Sequence, residues 1–330
     1  MRTDTTVMGH GGSIHANERF DAEVPLSRVK ELFNFEVEYT PLYTHVSSNG
    51  SPGEMVPLQN RQAIRRTDNG LVLNTVSKSH GLHQFEEVLI KNLVNLLDAS
   101  EGDLKVSGAG LLKNGAVGWI QVQADCLEAG NGDVAPTLTL ASSHDGSLAT
   151  SYRMGMYRFA CSNQIGTLRK GGANVYKLRH TINSKMNFTT ARQALGMMWK
   201  QADEFDMQVK RLIDTEVTTA RFDEIVNQLM PIPKDDASEA AKTRSTTRRD
   251  SIFDIYMRDD RVKEFTGTGW GVVQAFNTYS QHERPFRATG ANGDTSRLGR
   301  TMKEFLAGGI DEQDQRVTAA VLSLAGSGGF

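Results

Sequence analysis

The sequence predicts an α+β fold: an antiparallel β-meander packed with helices, followed by a helical C-terminal region. Three observations predict it. Asn69-Gly70 and Asn114-Gly115 each stand between strand-like runs, and this dipeptide is the strongest short-range hairpin signal. Phe85, Val88, Leu89, Leu93, Leu96 and Leu97 recur at helical spacing ahead of three strand-like runs. From Thr190 onward helical periodicity takes over, with Leu195, Met198, Trp199, Phe205, Val209, Leu212 and Ile213 approximately in phase.

A chain of 330 residues with 38% hydrophobic content can fill one large core or two ordinary ones. No apolar run reaches the roughly 20 residues that span a bilayer, and the N-terminus lacks the apolar stretch of a signal peptide. The expected location is therefore cytoplasmic, with no membrane partner. Cys126 and Cys161 are far apart and form no CxxC, which supports neither a disulfide framework nor a thiolate zinc site.

In chain order, residues 1–22 read as a polar, flexible arm in which His10 and His15 have no companion ligands. Residues 23–231 read as the α+β core. It starts with a short helix capped by Ser27, the extended run VEYTPLYTHV and the hairpin around Asn69-Gly70. His80, His83, Glu86 and Glu87 do not make a metal cluster, because Gly81 breaks a common helical face. The runs DLKVSGAGLLK, AVGWIQVQADCLEA and VAPTLTLASSH form the meander, and SYRMGMYRFA is its fourth strand. Alternation puts Tyr152, Met154, Met156 and Arg158 on one face of that strand and Arg153, Tyr157 and Phe159 on the other. Ser162 or Asn163 is expected to cap a short helix through Leu168, and VYKLRHT reads as another strand. After a helix ending at Pro231, residues 232–251 read as a linker or exposed loop and residues 252–330 as the helical region.

Charge is distributed unevenly. Residues 146–202 hold nine of the 37 basic residues and none of the 39 acids. Such a block points to a surface for a polyanion, provided its cations are not paired with acids from other segments. The expected nucleic-acid contacts are Arg153, Arg158, Arg169, Lys170, Lys177, Arg179, Lys185 and Arg192. Tyr152, Tyr157 and Tyr176 lie among them as possible stacking surfaces, with core packing as the alternative role. The loop Arg169-Lys-Gly-Gly-Ala-Asn174 joins two cations to two glycines, which lets backbone amides approach a phosphate.

The chain resembles a family found on phages, plasmids and other mobile elements and known mainly as a domain of unknown function. The resemblance rests on RFACSNQI after a strand, YKLRHT before a long helix, and GTGWGVVQAFNTYSQHE near the end, and it covers roughly Glu23 to Leu306. It implies a genetic setting and carries over no functional residue. The order helix, meander, basic helical sequence also resembles the core of single-strand annealing recombinases. That likeness implies an annealase-like core, a ring- or filament-forming homo-oligomer and single-stranded DNA in a basic groove.

The sharpest functional expectation is therefore a single-stranded nucleic-acid-binding protein acting in DNA strand annealing or recombination. No Walker loop, HExxH, GxSxG or dinucleotide fingerprint is present, and no cofactor, metal or catalytic residue is assigned. Two alternatives stay open. One is a metal-dependent nuclease built on Glu86, Asp125 and Glu128; the other is a protein-binding counter-defence or structural protein. Cys161 with His180 is a nucleophile pair only in principle, since Cys161 in RFACSN reads better as a small buried residue.

Overall fold

A computed structural model of the chain describes residues 6–8, 24–47, 53–128, 132–169, 174–177, 188–285 and 297–325. The α+β class is as the sequence predicts. Strand β1 (Thr6–Met8) precedes helix α1 (Leu26–Leu32), which starts from Pro25 rather than from a Ser27 cap. Strands β2 (Val37–Val46), β3 (Glu54–Arg66) and β4 (Val72–Ser77) form one antiparallel sheet, and the β3–β4 turn has Gly70 at φ +70°. Glycine takes that backbone conformation at no steric cost, which is why the Asn-Gly signal holds here.

A π-helical turn, Glu86–Ile90, runs into helix α2 (Lys91–Ala99). Then come β5 (Lys105–Leu112), β6 (Val117–Gln123), β7 (Val134–Ser143) and β8 (Ser151–Arg158), the expected four-stranded meander. Two short strands complete the large sheet. β9 (Asn163–Ile165) folds back on β8 with Met156 opposite Ile165, and β10 (Val175–Lys177) pairs with the start of β8. Residues 163–165 are thus a strand, not the expected capped helix; Ser162, at φ +54°, turns the chain back instead of capping it. The sheet order is β1-β5-β6-β7-β8-β10, so part of the expected N-terminal arm serves as an edge strand.

The remaining elements are helical: α3 (Phe188–Asp214), α4 (Thr219–Leu229), α5 (Glu239–Arg258), α6 (Gly269–Thr278) with a π-helical turn Tyr279–Glu283, α7 (Arg297–Ala307) and α8 (Gly309–Ala325). Helix α5 corrects the reading of residues 232–251 as a loop. Ser238 caps it by accepting from the Ala241 N–H, and its first three turns are mostly exposed, so a polar helix looks like a linker in sequence.

Both faces of the meander are covered. On one face Ile120, Leu138, Leu140, Tyr152 and Met154 pack with α1, α2 and the first half of α3. On the other, Trp119 and Ala141 pack with Met302, Phe305 and Ile310 of α7 and α8. Up to Met198 helix α3 packs in this first core; from Ala202 to Leu212 it joins Trp270, Val273 and Val317, together with Val134, Met156 and Ile165 of the sheet, in a second core. One long helix therefore ties the sheet to the C-terminal helices.

His144 lies stacked on Phe85, with ring centroids 3.8 Å apart, and is 3% exposed. Burial lowers its pKa from 6.5 to about 4. The unfolded chain then binds the proton first as pH falls. This contribution to stability is full above about pH 6.5 and is lost as pH drops towards 4, up to about 3 kcal/mol. His144→Phe keeps the stacked ring without the titration, so its Tm should fall less than wild type between pH 7 and 4. A variant with the wild-type acid limb would show that His144 does not set it.

The far half of the β2–β3 ribbon extends past β4, which pairs with β3 only from Arg61 onward. Tyr43, Val46, Met55, Val56 and Leu58 are exposed there. Among the described residues no helix is long and apolar enough to cross a membrane.

Candidate functional site

Two expected phosphate contacts turn out to be internal struts. Arg153 is 7% exposed and forms an ion pair with Asp311 of α8. Arg158 is fully buried. It pairs with Asp133 at 2.8 Å, bonds to Glu264, donates to the Arg261 carbonyl at 2.7 Å and lies over the Phe265 ring. These acids come from outside the acid-free block, so the charge imbalance along the chain is cancelled in space at both positions. The physical reason is that β8 is buried on both faces. Tyr152 and Tyr157 are core residues for the same reason, and burial pushes the Tyr157 phenol up to about 12.

The segment after β8 meets helix α6 in a buried hydrogen-bond network. The Asn163 amide donates to Gln274 Oε1 at 3.1 Å and Thr278 Oγ1 at 3.0 Å, while its oxygen faces His282 Nε2 at 3.0 Å. Gln281 accepts from the Gln164 backbone N–H at 2.9 Å and donates to the Gln164 carbonyl at 2.7 Å. Its side-chain amide thereby occupies the free edge of β9 as another strand would. Cys161 is buried within this network, and burial raises its thiol to about 11, which keeps it protonated and unreactive at neutral pH. Here RFACSNQI and GTGWGVVQAFNTYSQHE are two halves of one internal joint.

That joint sets the position of the following loop. Asp311 and Asp314 lie on one face of α8, three residues apart. Asp314 accepts from the Gly166 N–H at 2.7 Å and Asp311 from the Thr167 N–H at 2.8 Å. Burial raises Asp314 to about 7. Gly166 allows the loop to approach so closely, since a Cβ there would stand 2.8 Å from Asp311 Cα. The loop then exits over α8 and presents Arg169 to solvent.

Arg169 faces a groove of about 760 Å³ between α3 and α8. Arg211 of α3 and Arg316 of α8 also line it, together with Gln208, Gln315 and Glu312. All three arginines are exposed, and none forms an ion pair with a described residue. Thr318, 3% exposed, lines the same groove, and its buried hydroxyl has no hydrogen-bond partner. Three cations against one carboxylate make a place for an anion.

Residues 72–302 match the family described as Domain of unknown function (DUF932). The chain belongs to this family. Within the DUF932 region lie the meander, the Asn163–His282 joint, Arg169 and Arg211, whereas Arg316 and Thr318 fall just beyond it. No curated protein and no solved structure matches the chain.

The other predicted contacts of the DUF932 region do not join this groove. Lys177 is exposed on β10, which pairs with the opposite end of β8 from β9. Arg192 near the start of α3 lies 4.0 Å from Glu101. Tyr176 is half-buried and donates to Gln193 at 2.9 Å. Lys170, Arg179 and Lys185, with His180, lie outside the described residues. The expected single track of block cations is therefore not what the described residues form. Arg169 alone enters the groove, beside Arg211 and Arg316 from segments that also contain acids. Arg316 was hidden in the sequence by Asp311 and Asp314, which turn inward and are buried, leaving the cation on the surface. Among the described residues no group of three His, Cys, Asp or Glu side chains gathers as metal ligands.

Proposed function

We propose that the protein binds single-stranded nucleic acid through the groove between α3 and α8, as part of strand annealing or recombination in a phage or other mobile element. The observation that carries this reading is the set of three exposed arginines, Arg169, Arg211 and Arg316, around one groove with no ion pair to a described residue. Arginine presents a planar fork of donors that suits phosphate oxygens, and three of them in an open groove grip a backbone without reading its sequence. The burial of Arg153 and Arg158 narrows the reading to this groove. Self-association belongs to the same proposal, and the exposed apolar ribbon of β2 and β3 supports it, because an apolar surface of this kind favours a protein contact.

The test is fluorescence anisotropy of a labelled single-stranded 20-mer at low salt, with wild type and the triple variant Arg169→Glu, Arg211→Glu, Arg316→Glu. Affinity should fall by about a hundredfold or more while the Tm stays within a few degrees, since all three side chains are on the surface. Unchanged affinity would remove the groove from the account. Cleavage of the labelled strand with magnesium, lost in Asp125→Ala, would favour the nuclease reading instead.

A further inference from the structure

Strand β2 is an edge strand: β3 pairs with one side of it, and no described strand takes the other. The outer side is not covered evenly. At Val37 it is closed by Gln84, whose side chain accepts from the Val37 N–H at 3.0 Å and donates to the Val37 carbonyl at 2.9 Å, and the Tyr39 hydroxyl donates to the His80 carbonyl. The stretch Leu42-Tyr-Thr-His-Val46 has no such cover among the described residues. It also lacks the usual guards of an exposed edge, since it holds no proline and no lysine or other fixed charge, and the register irregularity near Pro41 lies at its start. Beside it β3 extends past β4, so the projecting part is two strands exposed on both faces, an arrangement that is marginal on its own.

We infer that Leu42–Val46 is the contact between two copies of the chain, pairing antiparallel with the same stretch of the second copy so that the two ribbons join as one four-stranded sheet. This rests on the self-association part of the proposed function and names its surface; it makes no use of the arginine groove. The occupant is a second copy because the stretch complements itself. A twofold axis at Thr44 sets Thr44 opposite its own counterpart, Tyr43 opposite the second copy's His45, and Leu42 opposite the second copy's Val46. Opposite residues of an antiparallel pair share a face, so two rings meet, two branched aliphatic side chains meet and two hydroxyls come into reach, each a favourable cross-strand pair. The rows continue on β3, where Pro57 stands opposite Tyr43, Val56 opposite Thr44 and Met55 opposite His45. One face of the joined sheet then gathers Tyr43, Met55 and Pro57 of both copies, and the other gathers Val46 and Val56. Between Tyr39 and Arg61 the only Asp, Glu, Lys or Arg is Glu54, so identical ribbons meet with little like-charge repulsion and a polyanion finds no cation to hold. The paired stretch is small beside the roughly 800 Å² per partner of a standard interface, so the dimer is reversible, with a Kd on the order of micromolar.

The test is sedimentation velocity without nucleic acid. Wild type should pass from monomer to dimer between about 1 and 100 μM. Thr44→Lys and Thr44→Glu each set two like charges against one another at the axis, and each should weaken the dimer by about tenfold or more. Thr44 is exposed, so the Tm of both variants should stay within a few degrees of wild type. An equal mixture of the two variants pairs Lys with Glu and should restore the dimer, a rescue that a purely structural role for Thr44 does not produce. The Arg169→Glu, Arg211→Glu, Arg316→Glu variant should dimerise as wild type does; loss of its dimer would place the contact at the groove and overturn this one. A wild type that stays monomeric throughout, or an assembly that both Thr44 variants leave unchanged, would also overturn it, while oligonucleotide anisotropy with the groove variant would still decide the nucleic-acid reading separately.

Discussion

Arg158→Met is expected to cost the fold about 4 kcal/mol, because it leaves a largely buried carboxylate without its cation. Methionine replaces much of the volume, so the loss is electrostatic rather than a cavity. Asp133, 21% exposed at the side chain, loses its ion pair, and the Arg261 carbonyl loses a donor. Burial already raises the Asp133 pKa above its ordinary value, and loss of the neighbouring Arg158 charge raises it further. Thermal unfolding should show a fall of roughly 6 °C. Adding Asp133→Leu should recover part of it, since removing both charges is cheaper than removing one. A Tm equal to wild type in the single variant would mean that Arg158 is not the strut described above, and would return it to the list of possible phosphate contacts.

Gly166→Ala should cost about 3 kcal/mol and weaken oligonucleotide binding as well. The added methyl meets Asp311 Cα and N, at 2.8 and 2.9 Å, and helix backbone does not step aside as a side-chain tip would. Either α8 moves out or the loop does, and both break the bonds from the Gly166 and Thr167 amides to Asp314 and Asp311. The same shift separates Arg169 from Arg316, so affinity for the single strand should drop about tenfold even at temperatures where the variant is folded. A stable variant that binds normally would show that this close approach does not set the geometry of the groove.

The sequence made the secondary structure of the sheet legible because its turns carry their own chemistry. Asn69-Gly70 and Asn114-Gly115 lie in left-handed turns where the dipeptide is favoured, and each joins the strands it was expected to join. The face of β8 was less legible. Alternation correctly separates Arg153 from Tyr152, but no local pattern says that α8 will cover the second face with Asp311. The first part of helix α5, before Ile252, was missed because an exposed helical stretch has no apolar stripe to announce it. Arg316 was missed because charge counted along a segment includes acids that fold inward, and Asp314, 1% exposed, is one of them.

The salt dependence of single-strand binding tests the central claim most directly. Each phosphate neutralised on a single strand contributes a slope of about −0.7 in log affinity against log salt. Three arginines acting together in the groove between α3 and α8 therefore account for a slope of about −2. The wild-type protein should show at least that slope, and the Arg169→Glu, Arg211→Glu, Arg316→Glu variant should lose about 2 units of it. A wild-type affinity that is flat with salt, or a slope that survives the triple substitution, would contradict the account.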